Sequence, residues 1–231
     1  MKKLFIVALA IGMMTSCGYQ SIDEPLPGTD YVISSAKVEG RVVYGIKDAL
    51  GNEIISPQFI AKPAFKNNTL LGQKGSYLYL YGKDGALLCS SGFLNINRER
   101  PDYFTARDST TNYLIFPAAK AVISGYAKAV VGPDEVLHKT GDLCGVKDKS
   151  GKDLVPAEYE SILKVSQDKD YFYLAKVNGK AQWKKIGADG KVLKNLSKWQ
   201  VDRIKADAKK SGYAFGDENL GGVSVKNLKS Y

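Results

Sequence analysis

The stretch YGIKDALGNEIISPQF, residues 44–59, returns one hundred residues later as CGVKDKSGKDLVPAEY, residues 144–159. Aligned without gaps, Gly45 faces Gly145, Lys47 faces Lys147, Asp48 faces Asp148 and Gly51 faces Gly151. The apolar positions agree as well, Ile46, Ile54 and Ile55 facing Val146, Leu154 and Val155. Pro57 and Pro156 fall one residue out of register, and Phe59 and Tyr159 realign. A chain that repeats itself builds its core by stacking like units, so this duplication constrains the fold more than any single residue does.

Each copy reads as strand, tight turn, strand. RVVYGIKD is rich in β formers, DALG puts Asp first and Gly last in a turn, and NEIIS resumes the strand. Gly51 and Gly151 stand where a hairpin needs a positive φ, and the carboxylates of Asp48 and Asp148 can bond the turn backbone. That assigns all four a structural role. The signal recurs in LYLYGKDGALL (78–88) and QWKKIGADGKVL (182–193), and in degenerate form in NYLIFPAAKAVI (112–123). Setting Tyr44, Tyr79, Tyr113, Cys144 and Trp183 at equivalent places gives intervals of 35, 34, 31 and 39 residues. The expectation is an all-β fold of about five repeated β-hairpin units over residues 36–196, in a ring-like or an open array.

These residues resemble the WG-repeat proteins. Their units run aromatic or Trp, Gly, apolar, variable, Asp, two variable residues, Gly, Lys or Asn, an apolar pair, Pro and an aromatic. Tyr44 and Cys144 stand in place of the Trp, and Trp183 is followed by Lys184. The resemblance covers residues from about 40 to 196. It implies a β-rich repeat module of the kind common in bacterial envelopes, without a shared catalytic residue set, so no active site is carried over.

The first residues speak to location. Met1-Lys2-Lys3 is followed by an apolar run from Leu4 to Met14, too short to span a bilayer, and then by MTSC. That ending resembles the bacterial lipobox, which makes 1–16 a signal peptide and Cys17 the lipid-attachment residue. Several acyl chains, at about 0.8 kcal/mol per buried methylene, hold a protein on the membrane for good. Residues 17–35, rich in Gly, Pro, Ser and acidic residues, suit an extended tether. Asp23 and Glu24 loosely resemble the acidic export signals of surface lipoproteins in Bacteroidetes. The expected place is the outer membrane, periplasmic or surface-facing.

Charge is unevenly placed. Residues 17–175 carry 18 Lys and Arg against 19 Asp and Glu, whereas residues 176–231 carry 13 against 5. For an exported protein, nucleic acid is not the partner for this surplus, and lipid phosphates or acidic glycans suit it better, unless it is a solvated face. Within the basic segment 197–231, SKWQVDRIKADAKKSG predicts a short helix, with Ser197 as cap, Val201, Ile204 and Ala208 as an apolar stripe and Gly212 as the stop. Such a helix would cap the last β unit.

Reactive groups are sparse. His138 is the only histidine, and no G-x-S-x-G elbow, phosphate loop or H-E-x-x-H occurs. No metal site or cofactor is expected. With Cys17 lipidated, Cys89 and Cys144 can form one disulfide or stay as thiols; spacing leaves both open. Asp153, Glu158 and Glu160 are scattered carboxylates that could pair as in a glycosidase. Tyr77, Tyr79 and Tyr81 alternate along one strand face, as do Tyr171 and Tyr173. Each row could stack a sugar ring, or could cover a half-buried sheet with Leu78 and Leu80 on the core side. Asp108 to Thr110 reads DST, which resembles a glycan acceptor motif of exported Bacteroidetes proteins. The expected function is a non-enzymatic, lipid-anchored module that binds an envelope protein or glycan partner; the alternative is a carbohydrate-active hydrolase with an unrecognised carboxylate pair.

Overall fold

The computed structural model describes residues 23–167, 170–210 and 220–224, so Cys17 and Gly212 lie outside the described residues, as does the side chain of Ala208. Among the described residues the fold is all-β apart from one helix. Unit one contains β1 (Glu24–Pro25), β2 (Val32–Val38), β3 (Arg41–Lys47) and β4 (Glu53–Phe59), paired in chain order. Unit two contains β5 (Ala64–Lys66), β6 (Thr69–Lys74) and β7 (Tyr77–Gly82). Unit three contains β8 (Asn95–Arg100), β9 (Tyr103–Arg107), β10 (Asn112–Phe116) and β11 (Ala121–Ser124). Units four and five share one eight-stranded sheet: β12 (Lys128–Val131), β13 (Glu135–Thr140), β14 (Leu143–Asp148), β15 (Asp153–Gln167), β16 (Asp170–Val177), β17 (Trp183–Gly187) and β18 (Val192–Leu196), with β19 (Leu220–Ser224) parallel to β15. Helix α1 spans Lys198–Lys210.

The repeated unit is therefore an antiparallel meander of three or four strands rather than a bare hairpin. Its boundaries also move outward. β1 and the first residues of β2 come from the stretch read as tether, where Leu26 is fully buried, and β19 comes from the tail. A Gly- and Pro-rich composition signals turns, and here the turns lie inside the first sheet.

One turn recurs in every unit. Gly51, Gly85, Gly151 and Gly190 have φ of 85, 75, 88 and 81°, and Lys120 takes the same place in unit three with φ 49°. The intervals are 34, 35, 31 and 39 residues, and counting back seven residues from each turn puts Leu78 rather than Tyr79 at the position of Tyr44. In unit one the Asp48 carboxylate accepts from the Leu50 and Asn52 amides at 2.9 and 2.8 Å, while Gly51 N–H donates to Asp48 O at 3.1 Å. In unit four Asp148 accepts from the Ser150 and Lys152 amides at 2.9 and 3.0 Å, and Gly151 N–H donates to Asp148 O at 3.0 Å. These donors hold both carboxylates below the usual range, the Asn52 side chain leading at Asp48 and the Ser150 hydroxyl at Asp148.

Unit three keeps the turn without its glycine. Lys120 N–H donates to Pro117 O at 3.2 Å, and its ammonium lies 3.0 Å from Asp84 in the preceding unit's turn. A left-handed conformation costs a side-chain-bearing residue about 1–2 kcal/mol, and an exposed ion pair returns well under that. Lys120→Gly is expected to stabilise the protein by about 1 kcal/mol, read as a higher urea midpoint with unchanged slope.

Gly45 and Gly145 answer to a different constraint. Tyr44 pairs Phe59 and Ile46 pairs Ile55, so four steps along β4 face two along β3, and Cys144, Tyr159, Val146 and Val155 repeat that bulge. The bulged strand passes over the glycine: a Cβ on Gly45 would sit 2.5 Å from Ile55 O, and one on Gly145 would sit 2.8 Å from Val155 O. Unit three pairs Tyr113, Leu114 and Ile115 with Ser124, Ile123 and Val122 without a bulge, and accordingly carries Leu114 where units one and four carry glycine.

The core is serial. One cluster joins Ile46 and Phe59 of unit one to Leu70 and Tyr81 of unit two, and the next joins Leu80 to Phe104 and Ile115 of unit three. A third joins Phe116 and Ile123 to Val136 of unit four, and a fourth joins Val146 and Tyr159 to Tyr173 and Ile186 of unit five. The last places Val201 and Ile204 of α1 on Leu163, Leu174 and Trp183. Among the described residues none of these five clusters joins unit five to unit one, so the described units form an open array, with the helix covering the face of unit five. Sheets between two neighbours are buried on both faces, which is why consecutive residues Phe172 to Ala175 are all buried.

Candidate functional site

The tyrosine rows do not form a binding face. Tyr77 is exposed, but Tyr79 packs on the core between units one and two, and Tyr81 is buried edge-on to Phe59. In unit five Tyr171 is half-buried beneath the Lys164 ammonium, 3.9 Å from its ring centre, and Tyr173 is fully buried. Tyr81 and Tyr173 therefore cannot stack a sugar. Alternation implied one free face per strand, and of the five tyrosines the serial packing leaves only Tyr77 exposed.

Other sequence candidates also resolve. Cys89 and Cys144 are both free thiols, Cys144 buried. His138 is buried with Nδ1 3.1 Å from Thr140 Oγ1, and its pKa is lowered by burial first and by Lys147 next, with Asp153 opposing. Asp153 accepts from Lys147 Nζ at 2.6 Å and Glu160 accepts from Lys176 Nζ at 2.6 Å. Glu158 lies beside Tyr159, whose hydroxyl is pushed up to about 12 by burial first and by Glu158 next. Asp108 of the DST turn accepts from Tyr113 Oη at 2.6 Å, which holds it down at about 2. Among the described residues no three His, Cys, Asp or Glu side chains are grouped to hold a metal.

A cavity of about 460 Å³ opens instead on unit five, between β15, the turn joining β16 to β17, and α1. Its position follows from three local features. The capping interaction at Ser197, whose N–H and hydroxyl both donate to Gln200 Oε1 at 2.9 and 3.0 Å, starts the helix directly after β18. Val201 and Ile204 seat that helix on the sheet, so Lys198, Asp202 and Lys205, spaced four and three residues apart, border the seam. A bulge between Tyr159 and Ser161 then turns Glu160 outward to face Lys176.

The walls carry mixed charge. Lys176, Lys180, Lys198 and Lys205 line the cavity together with Glu160 and Asp202, a surplus of two positive charges. Asp202 lies 3.7 Å from Lys198, and the Lys205 ammonium lies 5.0 Å from the centre of the Trp183 ring, itself only 8% exposed. Lys180 has no ion-pair partner among the described residues. Ser161, Gly179 and Ala181 complete the small and polar parts of the lining. Charged heads around a partly apolar floor suit a ligand with both an acid group and hydroxyls. The sequence indicated this region only through its basic surplus.

A second polar feature lies inside the protein. Glu135 accepts from Lys164 Nζ at 2.7 Å, its side chain is 2% exposed, and its Oε2 has no hydrogen-bond partner among the described residues. The buried hydroxyl of Tyr173 is raised well above the usual phenol range by burial first, then by Tyr171 and Glu135. No sequence signal announces this pair, because neither residue stands in a motif.

No family model and no curated protein matches the chain. Solved structures with partial likeness include apo AztD from Citrobacter koseri, at 14% identity over 77% of this chain and 59% of that one, TM-score 0.27. Hsv2 from Kluyveromyces lactis is 10% identical over 86% of this chain and 68% of its own, TM-score 0.29. A functionally unknown protein from Desulfotomaculum acetoxidans is 13% identical over 90% and 75%, TM-score 0.26. The chain spans 59% and 63% of the first two structures it matches, AztD and a second Hsv2p structure.

Proposed function

We propose that this chain is a lipid-anchored envelope protein whose WG-like β-repeat body binds a protein or glycan partner without transforming it. The reading joins the export signal, which ends in MTSC at Cys17, to a serial array that ends at the cavity on unit five. The cavity is the single observation that carries the binding role, since it gathers charged and small polar groups where the array stops stacking. Among the described residues no helix is long and apolar enough to cross a membrane, and a lipid on Cys17 would supply the attachment.

Cys17→Ser is expected to move the protein from the membrane to the soluble fraction in a cell that processes lipoproteins. Retention of the variant in membranes after a high-salt wash would overturn the lipid anchor. A second reading rests on Glu160 and Asp202, which line one cavity as a hydrolase's acids would, though each faces a lysine. New reducing ends after incubation with acidic or neutral oligosaccharides would favour it over binding alone.

A further inference from the structure

We infer that the Trp183 cavity takes an acidic sugar residue, its carboxylate held by the lysines and its hydroxyls by Glu160 and Asp202. The assignment rests on the binding reading above and deepens it. Charge decides the first half: Lys180 has no ion-pair partner among the described residues, and Lys198 reaches Asp202 only at 3.7 Å, so an ammonium is open to an incoming acid. The two carboxylates decide the second. A bare polyanion would meet Glu160 and Asp202 as like charges, whereas a sugar hydroxyl donates to them. A cavity of about 460 Å³ matches one or two pyranose rings, within the few hundred cubic ångströms usual for small-ligand sites.

Recognition is therefore double. The lysines read the acid, and Glu160, Asp202 and the Ser161 hydroxyl read the polyol. Trp183, buried beneath Lys205, supplies an apolar floor rather than a stacking platform. Nothing is cleaved and no proton moves.

The test uses the full chain in detergent, titrated with trigalacturonate, with its fully methyl-esterified form and with inorganic phosphate, and read by calorimetry. The ester keeps every hydroxyl and removes the charge; phosphate keeps charge and removes the sugar. Trigalacturonate is expected to bind, and both controls about tenfold more weakly, as loss of one charge-assisted bond implies. Lys180→Ala and Lys198→Ala should each weaken trigalacturonate binding about threefold to tenfold, with unchanged melting temperature, and added salt should do the same. Glu160→Gln should weaken it while leaving phosphate binding no weaker. Equal binding of the ester, equal binding of phosphate, lysine variants with wild-type affinity, or no binding of trigalacturonate would each overturn the inference. Membrane release by Cys17→Ser is measured separately, so failure of the ligand assignment is distinguishable from failure of the anchored-module reading.

Discussion

Gly190→Ala is expected to destabilise the protein by about 3 kcal/mol, while Gly51→Ala costs about 1 kcal/mol, although both glycines hold the same turn at nearly the same φ. The left-handed conformation charges both sites about 1–2 kcal/mol. The difference is the preceding unit. At Gly51 nothing among the described residues lies within 4 Å of the added methyl. At Gly190 the methyl would overlap the carbonyl oxygen of Leu154, which is backbone and cannot rotate aside. Overpacking of that kind adds about 1–3 kcal/mol. Gly85 should behave like Gly190, since a Cβ there would sit 2.5 Å from Ile54 O, whereas Gly151 should fall near Gly51, its nearest neighbour being 3.9 Å away. Urea titrations of the four alanine variants check the ranking. Equal losses at Gly51 and Gly190 would mean that the turns do not stack on the preceding unit.

Lys164→Met is expected to cost about 3–5 kcal/mol, because it leaves the Glu135 carboxylate buried with no cation beside it. Glu135 has one oxygen without a partner among the described residues, so the ammonium at 2.7 Å is its main compensation. The pair ties β13 of unit four to β15, and Lys164 also covers the Tyr171 ring. Glu135→Gln combined with Lys164→Met removes both charges, and should recover roughly 1–4 kcal/mol of the loss, since a buried ion pair is often no better than a neutral pair of similar volume. Chemical denaturation of the two single variants and the double variant closes the cycle. A double variant as unstable as Lys164→Met would show that packing of the lysine stem, not its charge, holds the junction.

The two best-preserved copies stood out because units one and four share constraints that only glycine and Asp meet. Gly45 and Gly145 lie under a bulged strand, Gly51 and Gly151 take positive φ, and Asp48 and Asp148 bond the turn amides. Where no bulge lies over that position, Leu114 and Lys184 replace the glycine and the motif fades although the meander persists; in unit five the register shifts only afterwards, between Lys185 and Ile186. Lys120 shows the same at the turn, tolerating a strained φ and hiding unit three from a pattern search. The helix was legible for a comparable reason: Ser197, Gln200, Val201 and Ile204 fix its start and its buried stripe within a few residues of one another.

The tyrosine rows were misleading because alternation tells which residues share a face, not whether that face is covered. Tyr79 and Tyr81 share a face, yet the neighbouring unit lies against it, with Phe59 on Tyr81. The repeat, the turns, the all-β class and the capping helix are local properties, set by residues within one unit, and the sequence alone determined them. Only the tertiary structure decided that the described units stack in an open series, that Cys89 and Cys144 are free thiols, that Glu135 meets Lys164, and that Glu160 and Lys176 line one cavity with Lys198 and Asp202. The residues brought together there are 22 to 42 positions apart, and their geometry depends on sheet twist and on one bulge in β15, which no short stretch of chain encodes.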